Sequence, residues 1–443
     1  MSPATRYDVV VVGGGLAGAA VAALAAKRGR RVVLIEPRPE WGGSFPLHRF
    51  GDARVASGPP LVMGYERLGA ADVYFESAGL SLALLIREGV SMKREPVQAL
   101  WSTRRLLISG APEEVIEDIR REYGVSEAAI RAMWEDLQSV SQMLTPASQP
   151  SPTAGDDGAW SRFRRLAATR SWIARFGALS PRAYAHAKGW PEALASYLES
   201  WAALVTQEGT PAGWMARVGL GLRGLVTLPE GRAGLCRLLV ARCESSGGHL
   251  VRAPITAVGQ GASAYVEAGG QRFEAGALII NSEHAPGHEP TTESGRTSTV
   301  AFAVPAALIP EAMARVLLHR EEGDPSTIVR RRLEGSETHM VITVSCHEGA
   351  ELRTSERYAD ILREIMPFAQ EQLTDLGGVS AGATPDPIES KTWESSPRWR
   401  RRQWGWQVGR SPIWWVADRS SPWIGDAGEF QIVLALDRML SSH

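Results

Sequence analysis

Residues 7–36 read YDVVVVGGGLAGAAVAALAAKRGRRVVLIE. The run divides into an apolar strand, a glycine turn, an alanine-rich helix and a second apolar strand that closes on an acid, which is the order of a βαβ unit with two parallel strands. Gly13, Gly15 and Gly18 form GxGxxG, with Leu16 and Ala17 inside the motif. The first glycine permits a tight turn, the second lets backbone approach a pyrophosphate, and the third lets helix and strand pack closely. Unpaired N–H groups and the positive dipole end of the following helix then face the phosphates. Glu36 stands 18 positions after Gly18, near the roughly 20 expected of an acid that accepts hydrogen bonds from ribose hydroxyls. An acid there favours a free 2′-hydroxyl, as in FAD or NAD, over the 2′-phosphate of NADP.

The segment that follows, EPRPEWGG, separates the two. Glu36 leads to Arg38 at acid+2 and to the pair Gly42-Gly43 at acid+6 and acid+7, and Gly13 and Glu36 are 23 positions apart. On these residues the chain resembles the GG-doublet superfamily of FAD-dependent oxidoreductases, which includes phytoene desaturases and flavin amine oxidases, and in pattern it is most similar to the phytoene desaturase-like members. Further segments continue the resemblance. RFGDARVASGPPLVMGYERLG (49–69) carries Gly58-Pro59, a pair that relatives hold near the flavin ring. LPEGRAGLCRLLVARCESSGGHLVRAPITAV (228–258) looks like the second FAD segment, in which the backbone matching Ile255 holds the adenine. VEAGGQRFEAGALIINSEHAP (266–286) reads as a hairpin through Gly269-Gly270 and a returning strand. IWWVADRSSPWIGDAGEFQIVLALDRML (413–440) resembles the third segment, where an acid aligned with Asp418 holds the ribityl chain. Gly425-Asp426 competes for that role, and Ala417 and Ser44 depart from the family's glycine and arginine.

The resemblance implies an α/β chain with a discontinuous Rossmann-type FAD-binding domain and an inserted α+β substrate domain. Residues 1–74, 223–286 and 396–443 are expected in the first, and 75–222 (helical part) and 287–395 (sheet part) in the second. APEEVIEDIRREYG and VSEAAIRAMWEDLQSVSQML have apolar positions at helical spacing, TSTVAFAVPAAL and ETHMVITVSCH are strand-like, and YADILREIMPFAQEQL predicts a helix. TPASQPSPTAGDDGA (145–159) predicts a loop, either a connector or the edge of a lid.

Composition narrows the class without naming the chemistry. At 443 residues, 44% hydrophobic and 22% charged, the chain has enough apolar content for large cores. A net charge of −1 gives no field for nucleic acid. Only four of the 48 basic residues are lysines. Cys236, Cys243 and Cys346 lack disulfide or zinc spacing and read as reduced thiols. His284 and His288 are separated by Pro286 and Gly287, which argues against a helical metal pair, so no metal is expected. The N-terminus has no secretory pattern and no apolar run approaches the ~20 residues of a membrane span; a cytoplasmic protein, with peripheral membrane association left open, is expected.

Catalytic residues are not legible, because a flavin carries the electrons itself and the protein orients the substrate. The segment 393–423 holds seven tryptophans and the run Arg400-Arg401-Arg402. Trp404 and Trp406 alternate as on one face of a strand. Three readings stand for it: a substrate-pocket wall, ordinary packing, or an anchor at a membrane interface. The resemblance implies a small-molecule substrate, apolar and isoprenoid- or carotenoid-like, oxidised by hydride transfer to flavin N5 with oxygen or a quinone as acceptor. The alternatives are an amine or amino-acid oxidase, for which Lys391 is the one lysine near the C-terminal sheet, and a non-redox isomerase or scaffold.

Overall fold

The computed structural model describes residues 5–43, 47–50, 53–56, 65, 69–88, 93–94, 96–101, 104–109, 111–144, 167, 170–205, 213–223, 225–228, 231–260, 262–282, 296–319, 327–331, 339–348, 354–369, 372–381, 399–402, 405–408, 412–417 and 426–441. The first sheet is built on β1 (Thr5–Val12). Val9 to Val12 are completely buried, as expected for a strand covered on both faces, and burying each valine contributes about 1.5–3 kcal/mol. Helix α1 (Leu16–Lys27) follows, with every residue from Leu16 to Ala26 buried. Its small side chains let it lie close to the sheet and to the helices Gly231–Ser245 and Asp426–Ser441, which pack on it. The unit closes with β2 (Val32–Glu36), parallel to β1.

Outward from β2 the sheet adds His249–Arg252, and on the other side of β1 come Gln271–Ser282, Ile413–Ala417, Gly405–Val408 and Trp399–Arg402. The strands 271–282 and 413–417 run parallel to β1, so the chain reverses its direction of winding between β1 and 271–282. In open α/β sheets the crevice at the carboxyl ends of the strands, at such a reversal, is where ligands bind. The hairpin 264–282 turns at Gly269 and Gly270, with φ of 56° and 75°, the left-handed pair that a two-residue turn of type I′ needs.

A second sheet of seven strands runs in the order 374–381, 296–305, 339–348, 327–331, 316–319, 97–101, 104–109. Helix Ser355–Ile365 covers it, burying Tyr358, Ile361 and Leu362 against Phe302, Val304 and Ile342. Two expectations are corrected here. The helix read through YADILREIMPFAQEQL stops at Ile365, because Met366 precedes Pro367 and is driven to φ −130°, ψ 72°. The stretch 75–222, read as helix-rich, does hold the helices 112–123, 127–144, 181–187, 192–205 and 213–223 but also gives the second sheet the strands Val97–Trp101 and Arg104–Ser109. Trp201, Tyr197, Met133 and Leu137 are fully buried in the helical part. Among the described residues no helix is long and apolar enough to cross a membrane.

Candidate dinucleotide-binding site

The site begins where β1 ends. Gly13 has φ +94°, and a Cβ on it would lie 2.5 Å from the Asn281 carbonyl oxygen; a Cβ on Gly18 would lie 1.9 Å from the Gly13 carbonyl oxygen. No side chain fits either position, so the turn and the helix start are locked to glycine by backbone contact. At Gly15 the added atom would meet the Asn281 side chain, with Oδ1 at 2.7 Å. A side chain at the second motif glycine would therefore have to displace the Asn281 amide.

Asn281, near the carboxyl end of strand 271–282, is 5% exposed. Its Oδ1 accepts from the Gly18 amide at 3.2 Å and its Nδ2 donates to the Val416 carbonyl at 3.3 Å. One side chain thus ties the start of α1 to the neighbouring strand across the crevice. The Leu16 and Ala17 amides, both in buried residues, have no acceptor among the described residues. Two buried N–H groups at a helix N-terminus form an anion site.

Glu36 ends β2 with only 1% exposure. Its Oε2 accepts from the Gly14 amide at 2.6 Å and its Oε1 from the Arg38 amide at 3.0 Å. Burial pushes the carboxyl above its ordinary range, and the amides of Arg38 and Gly14, then the Arg38 charge, pull it partly back. Trp41 closes over the same place: a Cβ on Gly14 would sit 2.5 Å from the indole and 3.0 Å from Glu36 Oε2. The glycine doublet then lies directly on the turn. The Gly42 amide donates to the Gly14 carbonyl at 3.2 Å, and a Cβ on Gly43 (φ +67°) would come within 3.0 Å of the Gly15 Cα. Beyond β2, the Ala253 amide donates to the Glu36 carbonyl at 3.2 Å, which brings the start of strand Ile255–Gln260 to this end of the sheet.

Gly13, Gly15, Leu16, Ala17, Gly18, Glu36, Arg38, Gly42 and Gly43 are therefore gathered at the carboxyl ends of β1 and β2, with Ile255 beside them. Ser44, Gly58, Pro59, Trp404, Asp418 and Lys391 lie outside the described residues. Asp426 is the first residue of the C-terminal helix. Trp406 lies on strand 405–408, with Trp415 as its cross-strand partner, and Trp415 is buried in the core beneath the sheet with Val12 and Ile280. Trp414, on the same strand, packs against the other core, with α1 and the helices around it.

Reading the sequence missed Gly14, Trp41 and Asn281. Gly14 was visible as the middle of a glycine triplet, whereas Asn281 lies 263 positions from its partner Gly18 and carries no local signal. It also missed the ion pair of Arg232 and Glu429, side chains 10% and 1% exposed, which joins the first turns of the helices 231–245 and 426–441. Cys236 and Cys243 are buried and in no disulfide, and burial pushes the Cys243 thiol up to about 12.

Residues 11–75 match the family model of the NAD(P)-binding Rossmann-like domain. This is a dinucleotide-binding site of the Rossmann kind. No curated protein matches the chain by sequence. Among solved structures, cyclohexylamine oxidase from Brevibacterium oxydans is similar with TM-score 0.61 at 12% identity, over 98% of this chain and 99% of that one. A double mutant of putrescine oxidase is similar with TM-score 0.59 at 13% identity over 100% of both chains. RAB GDI from Plasmodium falciparum is similar with TM-score 0.51 at 11% identity, over 88% of this chain and 92% of that one. The likeness establishes the shared fold, a Rossmann-type α/β chain with a second, inserted α+β part.

Proposed function

We propose that the chain is an FAD-dependent oxidoreductase acting on a small organic substrate. The observation that carries this is the cradle itself: a glycine turn on which a second glycine pair, Gly42-Gly43, packs backbone to backbone, with a buried acid held beside it. The residues fit a dinucleotide. Leu16 and Ala17 present amides to a pyrophosphate at the start of α1, Glu36 is the acceptor for ribose hydroxyls, and Arg38 together with the backbone at Ile255 completes the adenosine side. Ser44, Gly58, Pro59 and one of Asp418 and Asp426 are assigned to the ribityl–flavin half by resemblance. When bound, the flavin supplies a two-electron acceptor whose N5 takes up hydride. The chain's task is then to position the cofactor and to bring a substrate to it while excluding water.

The five-segment division given above is part of the same reading, with the second sheet and the helices 112–223 forming the substrate side. For the substrate, the resemblance of motifs favours an apolar, isoprenoid-like molecule, with Trp404 or Trp406 as a pocket wall and oxygen or a quinone as the final acceptor. A second reading, an amine, is favoured by the likeness to two amine-acting oxidases. Mixing the holoprotein anaerobically with carotenoid precursors and, separately, with alkyl amines decides between them: the true substrate class bleaches the flavin absorbance. Bleaching by neither set removes both substrate readings.

A further inference from the structure

The strand β3 (Leu47–Phe50) and its partner β4 (Ala53–Ala56) form a ribbon just after the glycine doublet. His48 lies on β3, four residues beyond Ser44 and opposite Val55. Its Nε2 is a buried atom with no hydrogen-bond partner among the described residues. Native interiors leave few polar atoms in this state, and each calls for a group that satisfies it. The ring is close enough to feel the charge of Glu40, and burial holds it below its ordinary pKa, toward the neutral form. A neutral imidazole both donates and accepts.

Position narrows what the missing partner is. The ribbon leaves a doublet that rests on Gly15, at the turn that receives a pyrophosphate. β3 then contacts strand 374–381 of the second sheet, and β4 contacts helix 231–245. A ligand extending from the turn toward the second sheet passes this ribbon.

The geometry points to His48 as a cofactor-contacting residue whose Nε2 hydrogen-bonds the ribityl–flavin half of the bound dinucleotide. This rests on the FAD reading above. It gives the ribbon a use that its packing alone does not require: the chain holds a polar atom dry and unsatisfied so that the cofactor completes it.

The test compares wild type, His48→Leu and His48→Gln, each freed of nucleotide, by thermal midpoint and by calorimetric titration with FAD and with ADP. A merely structural histidine would lower the midpoint when replaced. Here His48→Leu removes an unsatisfied buried nitrogen, so its midpoint stays level or rises. The same variant binds FAD about 5- to 20-fold more weakly, the loss of one hydrogen bond in a dry site, while ADP, which lacks the flavin half, binds within about twofold of wild type. His48→Gln, with donor and acceptor retained, recovers part of the FAD affinity. Unchanged FAD affinity in His48→Leu, an equal loss for ADP, or a lowered midpoint overturns the assignment. A wild type that binds ADP but not FAD overturns the FAD reading first and this contact with it, a pattern separate from the other three.

Discussion

Replacing Asn281 by alanine tests whether one buried amide holds the glycine turn against the rest of the sheet. The change deletes the acceptor of the Gly18 amide and the donor to the Val416 carbonyl, at 3.2 Å and 3.3 Å. Leaving a buried N–H unsatisfied costs about 1–3 kcal/mol, and losing the second hydrogen bond adds roughly 0.5–1.5 kcal/mol. The two together give a destabilisation of about 2–4 kcal/mol. Asn281→Asp keeps an acceptor for Gly18 but turns a second oxygen toward the Val416 carbonyl and buries a charge, so it is expected to be worse than alanine at neutral pH and to recover in acid as the carboxyl protonates. Urea unfolding of the nucleotide-free protein, followed by tryptophan fluorescence and by circular dichroism to check for a single transition, gives the numbers. A loss below about 1 kcal/mol for Asn281→Ala would show that water or a backbone shift replaces both bonds, and would refute the reasoning.

Gly18→Ala is expected to abolish soluble expression or the native fold, since its Cβ would lie 1.9 Å from the Gly13 carbonyl oxygen; a well-folded variant in a melting assay would contradict the close packing described. Glu36→Gln is expected to weaken FAD binding, because its amide keeps only one of the two acceptors that Glu36 offers to the Gly14 and Arg38 amides and turns an NH2 group toward the other. Because burial raises the folded-state carboxyl pKa, the native state holds the proton more tightly, so wild-type stability gains as pH falls from the raised value toward the unfolded value, and Glu36→Gln lacks that gain; identical stability-against-pH curves would count against it. Arg232→Met is expected to cost about 3–5 kcal/mol by removing the charge that buried Glu429 faces, and Arg232→Met with Glu429→Leu to regain most of it; urea midpoints of the single and double variants check this. Trp406→Ala is expected to raise KM or lower kcat on the identified substrate with FAD content unchanged, and unaltered kinetics would remove it from the pocket.

The turn was legible because its signals are local and steric. A buried valine strand, glycines where backbone meets backbone, and an acid ending the next strand all lie within 32 residues from Thr5 to Glu36. The Gly269-Gly270 hairpin was legible for the same reason, since only a left-handed pair closes it. Asn281 was not, because its meaning lies in strand order: it becomes a bridge only once 271–282 is placed between β1 and 413–417. Arg232 and Glu429 likewise sit on helices far apart in sequence that both pack on α1. The strands 97–101 and 104–109 were missed because five and six residues, one of them opening on two arginines, carry too short an alternation to compete with the helical pattern on their flank.

The identity of the nucleotide held by the purified chain tests the account most directly. Protein denatured after purification, or after incubation with excess cofactor and desalting, is analysed by chromatography and mass spectrometry of the released fraction. The account requires FAD at close to one equivalent per chain, with the Gly15→Val variant, whose side chain collides with Asn281 Oδ1, releasing none. Release of NAD or NADP, or a colourless chain that takes up no FAD under these conditions, would contradict it.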